Sequence, residues 1–176
     1  MKKVIITGHT SGLGLHIYNY FNNKEGYSTI GLSRSNGFDI EKDIEKVIEF
    51  VKNEKPDYFF NNVYYRTTQS TFIEQLAPYT IVITSGSVAA DVKYAPINSY
   101  FNHKHIIDQT HKKIKKTNKL PMLLLKMGWL ENNPEMDTGL DPIRYIEIID
   151  AIDFWLSNPR ISMIEWDNIN YKKNFG

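Results

Sequence analysis

Apolar positions along this chain switch repeatedly between short continuous runs and a helical spacing. Val4-Ile5-Ile6, within Lys3 to Thr7, predicts a β-branched strand, and Leu13, Leu15, Ile17, Tyr18 and Phe21 then recur at helical spacing. Gly26 ends that helix, Ser28 to Ser33 is a second strand, and Ile40, Ile44, Val47, Ile48 and Val51 predict a helix reaching Asn53. After Pro56, Tyr58-Phe59-Phe60 is a third strand, and a short helix fits Thr68 to Leu76. Tyr79 to Thr84 reads as a buried strand, Ile97 to Lys116 as a long helix and Leu120 to Lys126 as a strand. Pro142 to Ser157 reads as a helix with proline in its first turn, and Ser162 to Trp166 supplies a last strand.

Strands that alternate with helices require crossover connections, which implies an α/β fold. The expectation is one Rossmann-like, doubly wound domain over residues 1–176: a mainly parallel sheet of about six or seven strands, right-handed crossovers and helices on both faces. Ligands of such sheets bind beyond the carboxyl ends of the strands, where strand order reverses.

Composition narrows the chemistry. There is no cysteine, so disulfides, thiolate metal sites and a cysteine nucleophile are excluded, and no metal site is expected. Met1-Lys2-Lys3 opens like a signal sequence, but the apolar run stops at Thr7-Gly8, so no export is expected and a cytoplasmic location is. Met122 to Leu125 is far too short to cross a bilayer, so no membrane role is expected. Lysines gather between Lys104 and Lys119, yet the net charge is only +1 and no aromatics interleave with them, which argues against nucleic acid.

Thr7-Gly8-His9-Thr10-Ser11-Gly12-Leu13-Gly14 joins the first strand to the first helix, where free backbone N–H groups and the helix dipole can receive a pyrophosphate. The second strand ends in Leu32-Ser33-Arg34-Ser35, with no acid to accept from a ribose diol. Arg34, helped by Ser33, Ser35 and His9, suits a 2′-phosphate instead, which favours NADP(H) over NAD(H).

The loop has the form T-G-x-x-x-G-x-G, and with it the chain resembles a shortened member of the short-chain dehydrogenase/reductase family. The resemblance implies cofactor contacts from Gly8 to Gly14, and from Asp39, because Asp39-Ile40 matches an Asp-aliphatic pair of the family on the adenine side. Asn61-Asn62 resembles the N-N-A-G at the end of the family's central strand, although Val63-Tyr64 replaces the small pair. Gly128 and Trp129 fall where the family has its nicotinamide-side Pro-Gly, with Met127 in place of proline. Trp129, Leu130 and Met136 are candidates for a substrate pocket; the threonine that the family carries shortly after the glycine has no match at Glu131 or Asn132, and Thr138 lies farther on.

A Tyr-x-x-x-Lys spacing arises by chance about once in a chain this rich in both residues. Tyr20/Lys24 follows the glycine loop and is taken as chance; Tyr100/Lys104 follows Thr84-Ser85-Gly86-Ser87 and shares one helix face. The resemblance implies a serine thirteen positions before the tyrosine, which selects Ser87, with Ser85 as the fallback. Such a trio suits reduction of a carbonyl. Tyr100 would give the proton, Lys104 would stabilise its anion and hold the nicotinamide ribose, and Ser87 would orient the oxygen. Tyr100 and Lys104 therefore count among both catalytic and cofactor-binding candidates. His103, between them, could join a proton relay or be structural.

The departures concern length. Few residues separate Asn62 from Ser87, so the family's long helix there, its catalytic asparagine and its usual dimer surface have no match, leaving a homo-oligomer to a non-standard interface. The helix that the family carries between its second and third strands has no match either, since only a few residues link Arg34 to Asp39. The leading expectation is an NADP(H)-dependent carbonyl reductase or alcohol dehydrogenase acting on a small carbonyl or alcohol. The alternatives are a non-catalytic NADP(H) sensor or interaction protein, and a sugar-nucleotide reductase or epimerase, the latter suggested by Lys55-Pro56-Asp57.

Overall fold

The computed structural model describes residues 1–91, 96–131 and 142–166. Its strands are β1 (Lys2–Thr7), β2 (Tyr27–Leu32), β3 (Tyr58–Asn61), β4 (Ile81–Ser87), β5 (Met122–Met127) and β6 (Met163–Trp166). The helices between them are α1 (Gly12–Asn23), α2 (Ile44–Glu54), α3 (Thr68–Leu76), α4 (Tyr100–Lys115) and α5 (Tyr145–Ser157). All six strands pair in parallel in the order β2-β1-β3-β4-β5-β6, the Rossmann-like sheet that the alternating pattern implies.

Alternation along the strands divides the core into two layers. Val4, Ile6, Tyr58, Phe60, Ile83, Leu123 and Leu125 face α1 and α5, where Phe21 and Trp155 are fully buried. Ile5, Phe59, Val82 and Leu124 face the opposite layer, where α2, α3 and α4 contribute Val47, Val51, Phe72, Ile73, Leu76 and Ile107. Each buried aromatic or branched side chain is worth about 1.5–3 kcal/mol over exposure, so the two layers dominate the fold's stability.

The layers also show how the connections run. The step from β1 to β2 passes through α1; those from β2 to β3, β3 to β4 and β4 to β5 run the other way along the sheet through the opposite layer, so all four share one hand. The step from β5 to β6 continues in that second direction but through α5, on the α1 side, and so has the opposite hand. The expectation of uniformly right-handed crossovers fails at this last unit. Its consequence is local: α5 packs beside α1, and Tyr145 at its start comes within 3.6 Å of where a Cβ on Gly12 would lie.

Several boundaries differ from the pattern. Asp43 caps α2 by accepting from the Lys46 N–H at 3.1 Å, so Ile40 sits in a buried turn before the helix instead of within it. Ser99 caps α4 through the Asn102 N–H at 3.2 Å and leaves Ile97 outside. Tyr79 closes the turn after α3, its N–H bonded to Leu76 O at 2.9 Å, so β4 starts later than expected. It also runs on to Ser87, pairing Ser85 with Leu125 and Ser87 with Met127. α5 starts at Tyr145, with the Arg144 N–H donating to Glu147 Oε2 at 2.8 Å, three residues after Pro142. Among the described residues, no helix is long and apolar enough to cross a membrane.

Candidate functional site

Strand order reverses at β1, whose neighbours β2 and β3 are reached by connections running in opposite directions. A cleft of about 510 Å³ opens there, at the carboxyl ends of β1, β2 and β3. Thr7 fastens its base: the hydroxyl donates to Phe60 O at 3.1 Å and accepts from the N–H groups of Asn62 and Val63 at 2.9 and 3.2 Å. Three bonds to one side chain thus hold the end of β3 against the end of β1.

Gly8 at φ +71° and Gly12 at φ +51° turn the loop through left-handed backbone, which glycine adopts without penalty. Gly14 serves a different need. A Cβ there would lie 2.1 Å from the Gly8 carbonyl oxygen and 2.7 Å from Asn62 Nδ2, so only glycine lets α1 approach the loop this closely. The first turn of α1 has no side-chain cap and no acidic residue. Its N–H groups and the positive end of the helix dipole are left for an anion.

Across the cleft, Asn36 accepts from the Ser33 N–H at 2.8 Å and donates to Gly31 O at 2.6 Å, which fixes the turn carrying Arg34. The Ser33 and Ser35 hydroxyls meet at 2.8 Å. Arg34 lines the cleft, exposed; its carbonyl accepts from the Gly37 N–H at 3.2 Å, while its guanidinium has no hydrogen bond or ion pair to any described residue. Asp39 lines it too, its carboxylate accepting from the Glu41 N–H at 3.0 Å and lying 3.8 Å from Lys42 Nζ.

A second polar cluster lies beyond Tyr64, at the ends of β3 and β4. Lys104 is 4% exposed; its ammonium donates to Gln69 Oε1 at 2.9 Å and to Ser85 O at 3.1 Å. Burial pushes its pKa down to about 8. Gln69 Nε2 bonds Asn61 O at 2.9 Å and Ser85 O at 3.0 Å, and Asn61 Nδ2 returns a bond to Gln69 O at 2.8 Å. Lys104 Nζ stands 5.1 Å from the Tyr64 ring centre and 5.5 Å from that of Tyr100. Burial raises the Tyr100 pKa, and the adjacent Ser87 hydroxyl acts against that rise. Ser87, Tyr100 and Lys104 are therefore brought together, with Lys104 bonded to Gln69 and Ser85 instead of to the Tyr100 phenol.

The other candidates divide. Gly8, Thr10, Ser11, Ser33, Arg34, Ser35 and Asp39 line the cleft. Gly12 and Gly14 shape its loop, Leu13 is buried in the α1 layer, and Asn62 stands against Gly14. Asn61 is wholly buried and braces α3 against the sheet. His9 is not part of the cleft lining; its ring packs on Gly31 and on Tyr18, 5.1 Å between ring centres. Gly128 follows β5, its N–H bonded to Trp166 O at 3.2 Å, and Trp129 beside it is 44% exposed. Tyr20 and Lys24 bond to each other and to Asp153, tying α1 to α5 away from the cleft. Asn132, Met136 and Thr138 lie outside the described residues.

Two participants escaped the sequence reading. Gln69 shares the buried face of α3 with Phe72, Ile73 and Leu76, and a glutamine on an otherwise apolar helical stripe was the available signal. Tyr64 was visible only as bulk after Asn61-Asn62. Its hydroxyl meets His103 Nδ1 at 2.8 Å, which gives the histidine between Tyr100 and Lys104 a partner.

No protein-family model matches the chain, and no curated protein matches it in sequence. Solved structures do match in shape. A dTDP-4-dehydrorhamnose reductase from Yersinia enterocolitica superposes with a TM-score of 0.73 at 16% identity, over 96% of this chain and 76% of that one. An alcohol dehydrogenase from the archaeon Thermococcus sibiricus, complexed with 5-hydroxy-NADP, gives 0.72 at 15% identity, over 97% of each chain. An oxidoreductase of the short-chain dehydrogenase/reductase family from Burkholderia thailandensis gives 0.71 at 13% identity, over 94% of this chain and 91% of that one. The chain thus shares a Rossmann-like fold with these reductases and dehydrogenases.

Proposed function

We propose that this chain is an NADP(H)-dependent oxidoreductase that interconverts a small carbonyl compound and its alcohol. The observation that carries the reading is the cleft itself: a glycine loop opening an uncapped helix on one side and, on the other, an Arg34 guanidinium with no partner among the described residues. Those residues fit a pyrophosphate and a 2′-phosphate, and the shape-matched alcohol dehydrogenase is complexed with an NADP derivative.

A bound nicotinamide supplies or accepts the hydride. The chain's own residues handle the oxygen and its proton. Ser87 donates a hydrogen bond to the carbonyl oxygen, and the Tyr100 hydroxyl passes its proton to the alkoxide as it forms. The Lys104 ammonium, 5.5 Å from the Tyr100 ring centre, favours the phenolate left behind. Oxidation of NADPH in the presence of a panel of aldehydes and ketones tests this: Tyr100→Phe is expected to abolish turnover while nucleotide binding persists.

A second reading, a binder of NADP(H) without turnover, is favoured by one observation. Two of the three Lys104 protons are engaged by Gln69 and Ser85. Under that reading no carbonyl in the panel is reduced, and Tyr100→Phe changes nothing measurable.

A further inference from the structure

Tyr64 stands where the nucleotide cleft ends and the Lys104 cluster begins. It lines the cleft, and it also packs edge-on against Tyr100 with 5.0 Å between ring centres. Its hydroxyl is tied to the buried His103 at 2.8 Å. The third proton of the Lys104 ammonium has no oxygen partner among the described residues, and the Tyr64 and Tyr100 rings lie 5.1 and 5.5 Å away. Tyr64 thus lines the cleft and lies next to the ammonium, whereas Lys104 itself is not part of the lining.

We propose that Tyr64 determines which nucleotides this site accepts: its ring covers the approach to Lys104, so that an adenosine bisphosphate confined to the cleft binds with the ring in place, whereas a dinucleotide must displace it. The inference rests on the reading of the cleft as an NADP(H) site. Two contacts hold the ring in place, the bond to His103 and the edge-on packing on Tyr100, and both are lost when it moves. A dinucleotide binds only the displaced population, so its apparent affinity falls by that fraction, and the adenosine bisphosphate escapes the penalty.

Calorimetric titration of wild type, Tyr64→Phe and Tyr64→Ala with 2′,5′-ADP and with NADPH tests this. Tyr64→Ala is expected to tighten NADPH by about tenfold and 2′,5′-ADP by less than about twofold. Tyr64→Phe keeps the ring and loses only the bond to His103, so its expected gain for NADPH is about threefold; because it preserves the packing, it guards against a folding defect. Unchanged or weaker NADPH binding in both variants, with 2′,5′-ADP still bound, would overturn the role of Tyr64 and leave the cofactor reading standing. Failure of wild type to bind either ligand would overturn both.

Discussion

Lys104 and Gln69 meet across the interface of α4 and α3, ammonium to amide oxygen at 2.9 Å, in a site where the lysine is almost wholly buried. Burial, with no carboxylate partner among the described residues, lowers the lysine pKa to about 8, so its charge is lost as pH rises through that value. If the charge supports NADP(H) binding and proton transfer, carbonyl reduction declines above about pH 8. Gln69→Glu places a carboxylate beside the ammonium and is expected to move that decline to higher pH. Gln69→Leu removes a partner, moves it lower and destabilises the fold by about 2–3 kcal/mol, the cost of a buried charge left short of a bond. The pH profiles of the three proteins check the shifts.

His111 makes a prediction about acid. It is buried, with Nε2 2.9 Å from Ser162 O, and burial is the main cause that pushes its pKa down to about 4. The unfolded chain takes up a proton near pH 6.5 that the folded chain refuses until about pH 4. The stability linked to this group is therefore complete above pH 6.5 and is lost as pH falls toward 4, by about 3 kcal/mol in all. Urea unfolding at pH 7 and pH 4.5 is expected to show a smaller drop for His111→Gln, which keeps an N–H for Ser162, than for wild type.

Thr7 and Gly14 test how the cleft is built. Thr7→Val keeps the shape but strands the N–H groups of Asn62 and Val63, so a loss of about 2–3 kcal/mol is expected in chemical denaturation. Nucleotide binding weakens with it, because the ends of β1 and β3 are no longer fastened.

Gly14→Ala drives a methyl into the Gly8 carbonyl, a backbone atom that cannot rotate away. The helix must back off from the loop, which costs about 1–3 kcal/mol. Binding of NADPH is expected to be lost while circular dichroism still reports a folded chain.

These positions also show what was legible in advance. The glycine loop was readable because a turn through left-handed backbone and a close helix approach each demand one residue type at one place. The two layers followed from strand alternation and helical spacing, but the hand of the last crossover did not, since it depends on which layer α5 joins. Ile40 misled because burial in a turn leaves the same apolar mark as a helical stripe. The bond between Gln69 and Lys104, and the meeting of Tyr64 with His103, join residues 35 and 39 positions apart. Only the packing of α3 and of the β3 end against α4 brings them together, and no local pattern encodes that.

The most direct test of the account is a fluorescence titration of the chain with NADPH and with NADH, repeated with Arg34→Ala. Selective binding of NADPH, reduced by about tenfold or more in the variant while NADH is unaffected, is the expected result. Binding of neither nucleotide by the wild-type chain would contradict the account at its centre.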